Sequence, residues 1–125
     1  MIRGARREKH LFGGAMRQAG IVAAAGLYAL DHHVERLAED HANALALADG
    51  LAAIDKVTID AAAVETNIVL FDVPDAAALK ERLAAAGVDM SRIGPHRMRA
   101  VTHLDVDRAG VDRALLAVRE ALAAA

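Results

Sequence analysis

Gly13-Gly14-Ala15-Met16-Arg17-Gln18-Ala19-Gly20, with the apolar run Ile21 to Leu30 behind it, is the stretch on which the rest of the chain is read. Adjacent glycines permit a tight turn and bring backbone amides close to whatever docks there, because a residue without Cβ reaches conformations closed to the others. The run that follows is small and apolar, and Ala23-Ala24-Ala25-Gly26 offers a smooth surface to a neighbouring element. We expect a buried helix from Gly14 to about Leu30, broken or kinked at Asp31-His32-His33, which are mediocre helix formers.

Upstream, residues 1–12 set Arg3, Arg6, Arg7, Lys9 and His10 against Glu8 and read as a solvated helix end. No apolar core follows them directly, so a signal peptide is not expected. Ala19 to Leu30 is shorter than the roughly 20 residues a spanning helix needs. Downstream, a helix is expected from about Val34 to Ile54, burying the stripe Val34, Leu37, His41, Leu45, Ala48 and Leu51, with Glu35, Arg36, Glu39, Asp40 and Asn43 mostly facing water. Val57-Thr58-Ile59 is a short strand candidate and Asn67 to Val73 a stronger one, closed by Pro74. Asp75 stands where an N-cap belongs and Gly87 where a C-cap belongs, bracketing a helix over Ala76 to Ala86. Val88 to Ser91 and Met98 to Leu104 read as strands around a Gly94-Pro95 turn. Asp105 to Asp107 open a last helix that runs to about Leu122 and buries Val111, Leu115, Val118 and Leu122. The order defines an α+β fold, helices packed on a small, largely antiparallel sheet.

Composition narrows the function classes. The chain of 125 residues is 55% hydrophobic but only 2% aromatic, so its interior is expected to be tight and built on Ala, Leu and Val. A net charge of −2 gives no general pull towards nucleic acid or an anionic membrane, and the absence of cysteine fits a reducing cytoplasm, where the protein is expected. Without cysteine there is no disulfide frame and no thiolate chemistry. None of the six histidines forms the i, i+4 pair of a helical zinc motif, so no metal site is expected. His41, on the apolar stripe, reads as a core histidine, and His32 and His33 as the end of a helix. No nucleophile elbow or Walker-type phosphate loop is present.

Two places are left for chemistry. Free amides at a helix start, joined by Arg17, would suit a phosphate or carboxylate at the Gly13-Gly14 turn. Arg99 sits in an apolar strand beside Val101, with Arg97 two residues earlier on the same face. Such an arginine needs a partner, and a bidentate carboxylate is the usual one. The residues alone favour an Asp or Glu of the same domain as that partner over a bound ligand.

Two separated blocks resemble one family, the low-specificity L-threonine aldolases, which use pyridoxal phosphate (PLP) and have fold type I. The first is Arg6-Arg7-Glu8-Lys9-His10-Leu11-Phe12-Gly13-Gly14-Ala15-Met16-Arg17-Gln18-Ala19-Gly20, continuing through Ala23 to Leu30 and to Glu39-Asp40-His41. The second is Arg99-Ala100-Val101-Thr102-His103-Leu104-Asp105-Val106, with Thr66-Asn67-Ile68-Val69 resembling a strand between them. The resemblance implies the end of a large domain and its linking helix over 1–30, and the C-terminal small domain of a fold-type-I PLP enzyme over 31–125. It implies cleavage of L-threonine or L-allo-threonine to glycine and acetaldehyde. Arg99 would hold the substrate α-carboxylate, and His10, Gly13, Gly14 and Arg17 would lie near the cofactor.

The chain departs from the family at His10, where a lysine is usual, and at Ala15, where a third glycine is usual. Lys9, Lys56 and Lys80 do not match the Schiff-base motif, which in the family precedes the matched span. The expectation is therefore a C-terminal fragment that does not bind PLP covalently and is inactive alone, working with a missing large domain or as a homo-oligomer. The alternative is a non-catalytic interaction module or a carboxylate-binding α+β module.

Overall fold

The computed structural model describes residues 2–124 and divides the chain into two units, one through Arg36 and one from Leu37 onward. In the first, α1 (Ile2–Leu11) ends on the paired glycines. The Gly13 N–H donates to the His10 carbonyl at 3.3 Å and the Gly14 N–H to the Lys9 carbonyl at 2.8 Å. With Gly13 at φ +76°, this is the bond pattern of a Schellman ending, which requires a left-handed residue. The expected helix start at Gly14 is thereby corrected. The glycines terminate the helix before them, and α2 (Gly20–His32) begins six residues later. α2 ends at the expected break, where the His33 N–H donates to the Ala29 carbonyl and the His32 ring stacks on Tyr28 with centroids 4.0 Å apart. Contrary to expectation, no residue of α2 is buried.

The second unit runs α3 (Leu37–Ala52), a short 3-10 turn at Ala61–Ala63, β1 (Ile68–Asp72), α4 (Ala76–Ala85), β2 (Ser91–Arg92), β3 (Arg97–Val101) and α5 (Arg108–Ala123). Its sheet is antiparallel with β3 in the middle, in the order β1-β3-β2, and the expected α+β class is found. The Asp75 carboxylate accepts from the Ala77 and Ala78 N–H groups at the start of α4, and Asp107 accepts from the Gly110 N–H at the start of α5. Gly87, at φ +73°, follows α4. Val57 to Ile59 forms no strand but contributes one bridge, Thr58 to Asp72.

Alternation along the strands turns Val69, Phe71, Met98 and Ala100 inward onto α3, α4 and α5. The helices contribute Leu47, Leu51, Leu79, Leu83, Val111, Val118 and Leu122 to the same core. The α3 stripe differs from expectation: the buried face is Asp40, Asn43, Ala44, Leu47, Ala48 and Leu51, while Leu37 and Leu45 are exposed and His41 is half-buried. Two polar residues enter this face, and among the described residues no buried side-chain nitrogen or oxygen is left without a hydrogen-bond partner. Asn43 Nδ2 donates to the Val106 carbonyl at 3.0 Å, and the Asp40 carbonyl accepts from Thr102 Oγ1 at 2.7 Å. Against α5, Gly50 leaves the space that the Leu115 side chain occupies, so the absence of a Cβ sets the approach of these two helices.

Candidate carboxylate-binding site

With one sheet face committed to the core, the other is open and carries Ile68, Leu70 and Asp72 of β1 against Val101, Arg99 and Arg97 of β3, residue opposite residue. On the far side of β3, Ser91 of β2 stands opposite Arg99. Arg99 is thus central, flanked across the sheet by Leu70 and Ser91 and along its strand by Arg97 and Val101. Leu70, Ile68 and Val101 are between 42% and 46% exposed, so the guanidinium rises from a partly apolar surface.

The two arginines of this face differ sharply. Arg97 makes a bidentate pair with Asp72, Nε to Oδ1 at 2.8 Å and Nη2 to Oδ2 at 2.6 Å. Its hydrogen bonds hold the Asp72 carboxyl below the usual carboxylate range and raise the Arg97 guanidinium above its ordinary value. Arg99 is exposed, and its side chain has no hydrogen bond or ion pair among the described residues. The internal ion pair favoured by the residues alone belongs to Arg97, not to Arg99. A planar fork of donors left open in this way can take both oxygens of a carboxylate.

β3 is held by polar bonds that sequence reading passed over. Asn67 Nδ2 donates to the Thr102 carbonyl at 2.8 Å, and the Thr102 N–H returns a bond to the Asn67 carbonyl at 3.0 Å. Thr102 Oγ1 reaches on to α3. The motif residues Asn67 and Thr102 therefore fix the strand that carries Arg99. The signal was present as two short polar interruptions flanking apolar strands, Thr66-Asn67 before β1 and Thr102-His103 after β3.

The other expected site residues lie in the first unit. The Gly13 and Gly14 amides are spent on the α1 ending, so they are not the free amides of a helix start. Arg17 is exposed in the turn before α2, with no hydrogen bond or ion pair among the described residues. His10 is exposed and its Nδ1 lies 2.9 Å from the Arg6 carbonyl oxygen. Lys9, Lys56 and Lys80 are all exposed, and Lys56 Nζ donates to the Leu122 carbonyl at the end of α5. These residues do not by themselves form a cradle for PLP, since the turn amides are occupied and no lysine is enclosed. Among the described residues no group of His, Asp and Glu could hold a metal ion. No described helix is long and apolar enough to cross a membrane.

Fold and site together define an α+β lobe that offers one unpaired arginine from the middle strand of an antiparallel sheet. Residues 1–74 match the model of the beta-eliminating lyases, and the chain belongs to that family. It is similar to the low specificity L-threonine aldolase of Escherichia coli (strain K12), 43% identical over 109 residues that cover 86% of this chain and 31% of that protein. It is also similar to the probable low-specificity L-threonine aldolase 2 of Arabidopsis thaliana, 36% identical over 116 residues, 89% of this chain and 33% of the relative. The chain thus spans about a third of the length of these relatives. The fold is shared with a C-DES mutant that has glycine covalently linked to its PLP cofactor, at a TM-score of 0.65 and 21% identity, covering 82% of this chain and 28% of that one. It is shared too with MppP soaked with its product 2-ketoarginine, at a TM-score of 0.60 and 15% identity over 75% of this chain and 30% of that one.

Proposed function

We propose that this chain is the C-terminal part of a PLP-dependent aldolase that cleaves L-threonine or L-allo-threonine to glycine and acetaldehyde, and that Arg99 holds the substrate α-carboxylate. The observation that carries the proposal is the open Arg99 guanidinium on a sheet face whose other arginine is already paired. Similarity to threonine aldolases over most of the chain supports the substrate, and the length of those relatives supports a larger working protein. Residues 1–30 would close the large domain and 31–125 form the small one. PLP, which supplies an electron sink at Cα, is expected to be held by the rest of the enzyme, with His10, Gly13, Gly14 and Arg17 near it.

In this reading the lobe contributes orientation. A bidentate grip on the carboxylate removes most rotational freedom of the amino acid about its Cα, and so decides which substituent is presented for cleavage. β3 gives that grip a fixed origin, because Thr102 and Asn67 tie it to β1 and α3. Because Asp72 occupies Arg97, the second arginine of this face does not compete with Arg99 for the carboxylate.

The test is a chimera in which this chain replaces the matching third of the Escherichia coli relative. We expect acetaldehyde release from L-threonine, and a loss of about 10- to 100-fold in kcat/KM for Arg99→Ala, the scale of one hydrogen-bonded charge pair. Equal activity of the Arg99→Ala chimera overturns the assignment. The 125-residue chain alone, mixed with PLP and L-threonine, is expected to release no acetaldehyde.

A second reading, a non-catalytic module that pairs with a separate large domain or with itself, is favoured by α2. Ile21, Val22, Leu27 and Leu30 are all more than 60% exposed there. A monomer in sedimentation, indifferent to an added large domain, counts against it.

A further inference from the structure

Resting on the reading of Arg99 as the carboxylate site, we infer that Asp72 is a specificity residue, which by occupying Arg97 restricts this sheet face to amino acids with a single carboxylate. Arg97 and Arg99 lie two residues apart on β3 and point from the same face, so their Cα atoms stand about 7 Å apart. Two free forks at that spacing would form a double clamp suited to an amino acid with a second carboxylate on its side chain. Register prevents it. Asp72 lies directly opposite Arg97 and takes both Nε and Nη2, while the equivalent position opposite Arg99 is Leu70, which can take neither. The cluster of Asp72, Arg97 and Arg99 therefore has one cation in excess, matched to one carboxylate.

The rest of the face agrees with this selection. Beside Ile68 and Leu70 runs a groove lined by Asp60, Val64, Glu65 and Thr66, which places two further carboxylates on the β1 side and none of the described cations. On the β2 side the neighbour of Arg99 is the Ser91 hydroxyl. A substrate gripped by Arg99 thus meets apolar carbon, a hydroxyl and negative charge. A small aliphatic or hydroxylated side chain suits those neighbours, and an acidic one is repelled.

The experiment follows the Arg Nε–H resonances of the nitrogen-labelled chain during titration with L-threonine and with L-aspartate at constant ionic strength. In the unaltered chain the Arg99 signal should move with L-threonine, the Arg97 signal should stay still, and L-aspartate should bind no more tightly. Asp72→Asn should tighten L-aspartate relative to L-threonine by about fivefold, the scale of one exposed ion pair, and should bring the Arg97 signal into the response. Adding Arg97→Gln should return the ratio to its original value, which a merely structural role for Asp72 would not do. Should Asp72→Asn fail to fold, Asp72→Ser removes the same charge with a smaller side chain. A responsive Arg99 with an unchanged ratio in the Asp72 variant overturns this inference alone. An Arg99 signal silent to both amino acids overturns the carboxylate reading, and this inference with it.

Discussion

Thr102 Oγ1 donates a 2.7 Å hydrogen bond to the carbonyl oxygen of Asp40, joining the end of β3 to the first turns of α3 across 62 residues of sequence. Thr102 is 1% exposed, so the bond is made where no water can replace it. Thr102→Val keeps the shape and removes the donor, leaving the Asp40 carbonyl with only its bond within α3. We expect a loss of about 0.5–1.5 kcal/mol in urea denaturation with an unchanged slope. A stability equal to the parent would show that this hydroxyl bond does not hold the strand to α3.

Gly50 and Leu115 provide a second check on how the helices are set. A Cβ at residue 50 would overlap the Leu115 methyl groups, so Gly50→Val should cost about 1–3 kcal/mol through overpacking. Combined with Leu115→Ala, the space is returned, and the double variant should lose less than the two single losses together. Simple additivity, measured by a double-mutant cycle, would contradict a direct contact.

Acid sensitivity should trace to two carboxylates. Arg97 holds the Asp72 carboxyl below its usual range, and the Ala78 N–H, followed by that of Ala77, does the same for Asp75. A carboxyl with a lowered folded value binds its proton more readily in the unfolded chain. Its stabilisation is therefore complete above the ordinary value of about 4 and lost as pH falls through the lower folded value. In thermal melts from about pH 5 to pH 2, the decline should be shallower for the variant with Asp72→Asn and Asp75→Asn, because asparagine can still cap α4 but does not titrate. An equally steep decline would assign acid sensitivity to other groups.

Local signals in the sequence were good guides where one residue fixes one bond. Asp75 and Gly87 bracket α4 because a carboxylate ahead of a helix and a left-handed glycine after it act within their own turn. The face of α3 was not legible. Ala and Leu occur on several of its sides, and Asn43 is drawn inward by the carbonyl of Val106, which no local spacing reveals. Gly13 and Gly14 fit the start of one helix or the end of another equally well, and only the bonds to His10 and Lys9 decide. At the candidate site both arginines could be found by alternation, but which one is free depends on register. Asp72 meets Arg97 and Leu70 meets Arg99, and a slip of two residues would exchange their states.

That dependence on register gives Arg99 a distinctive expected behaviour. A side chain that is exposed and unpaired among the described residues does little for folding, so Arg99→Gln should change stability by less than about 0.5 kcal/mol. The same substitution removes the only face-on cation left open beside Leu70 among the described residues, and should abolish the shifts that L-threonine induces in the amide signals of Leu70 and Ser91. Arg97→Gln should show the opposite balance, losing the pair with Asp72 while leaving the Arg99 guanidinium in place. If Arg99→Gln instead destabilised the chain by several kcal/mol, the guanidinium would be part of the packing, and a residue used in that way could not be held open for a ligand.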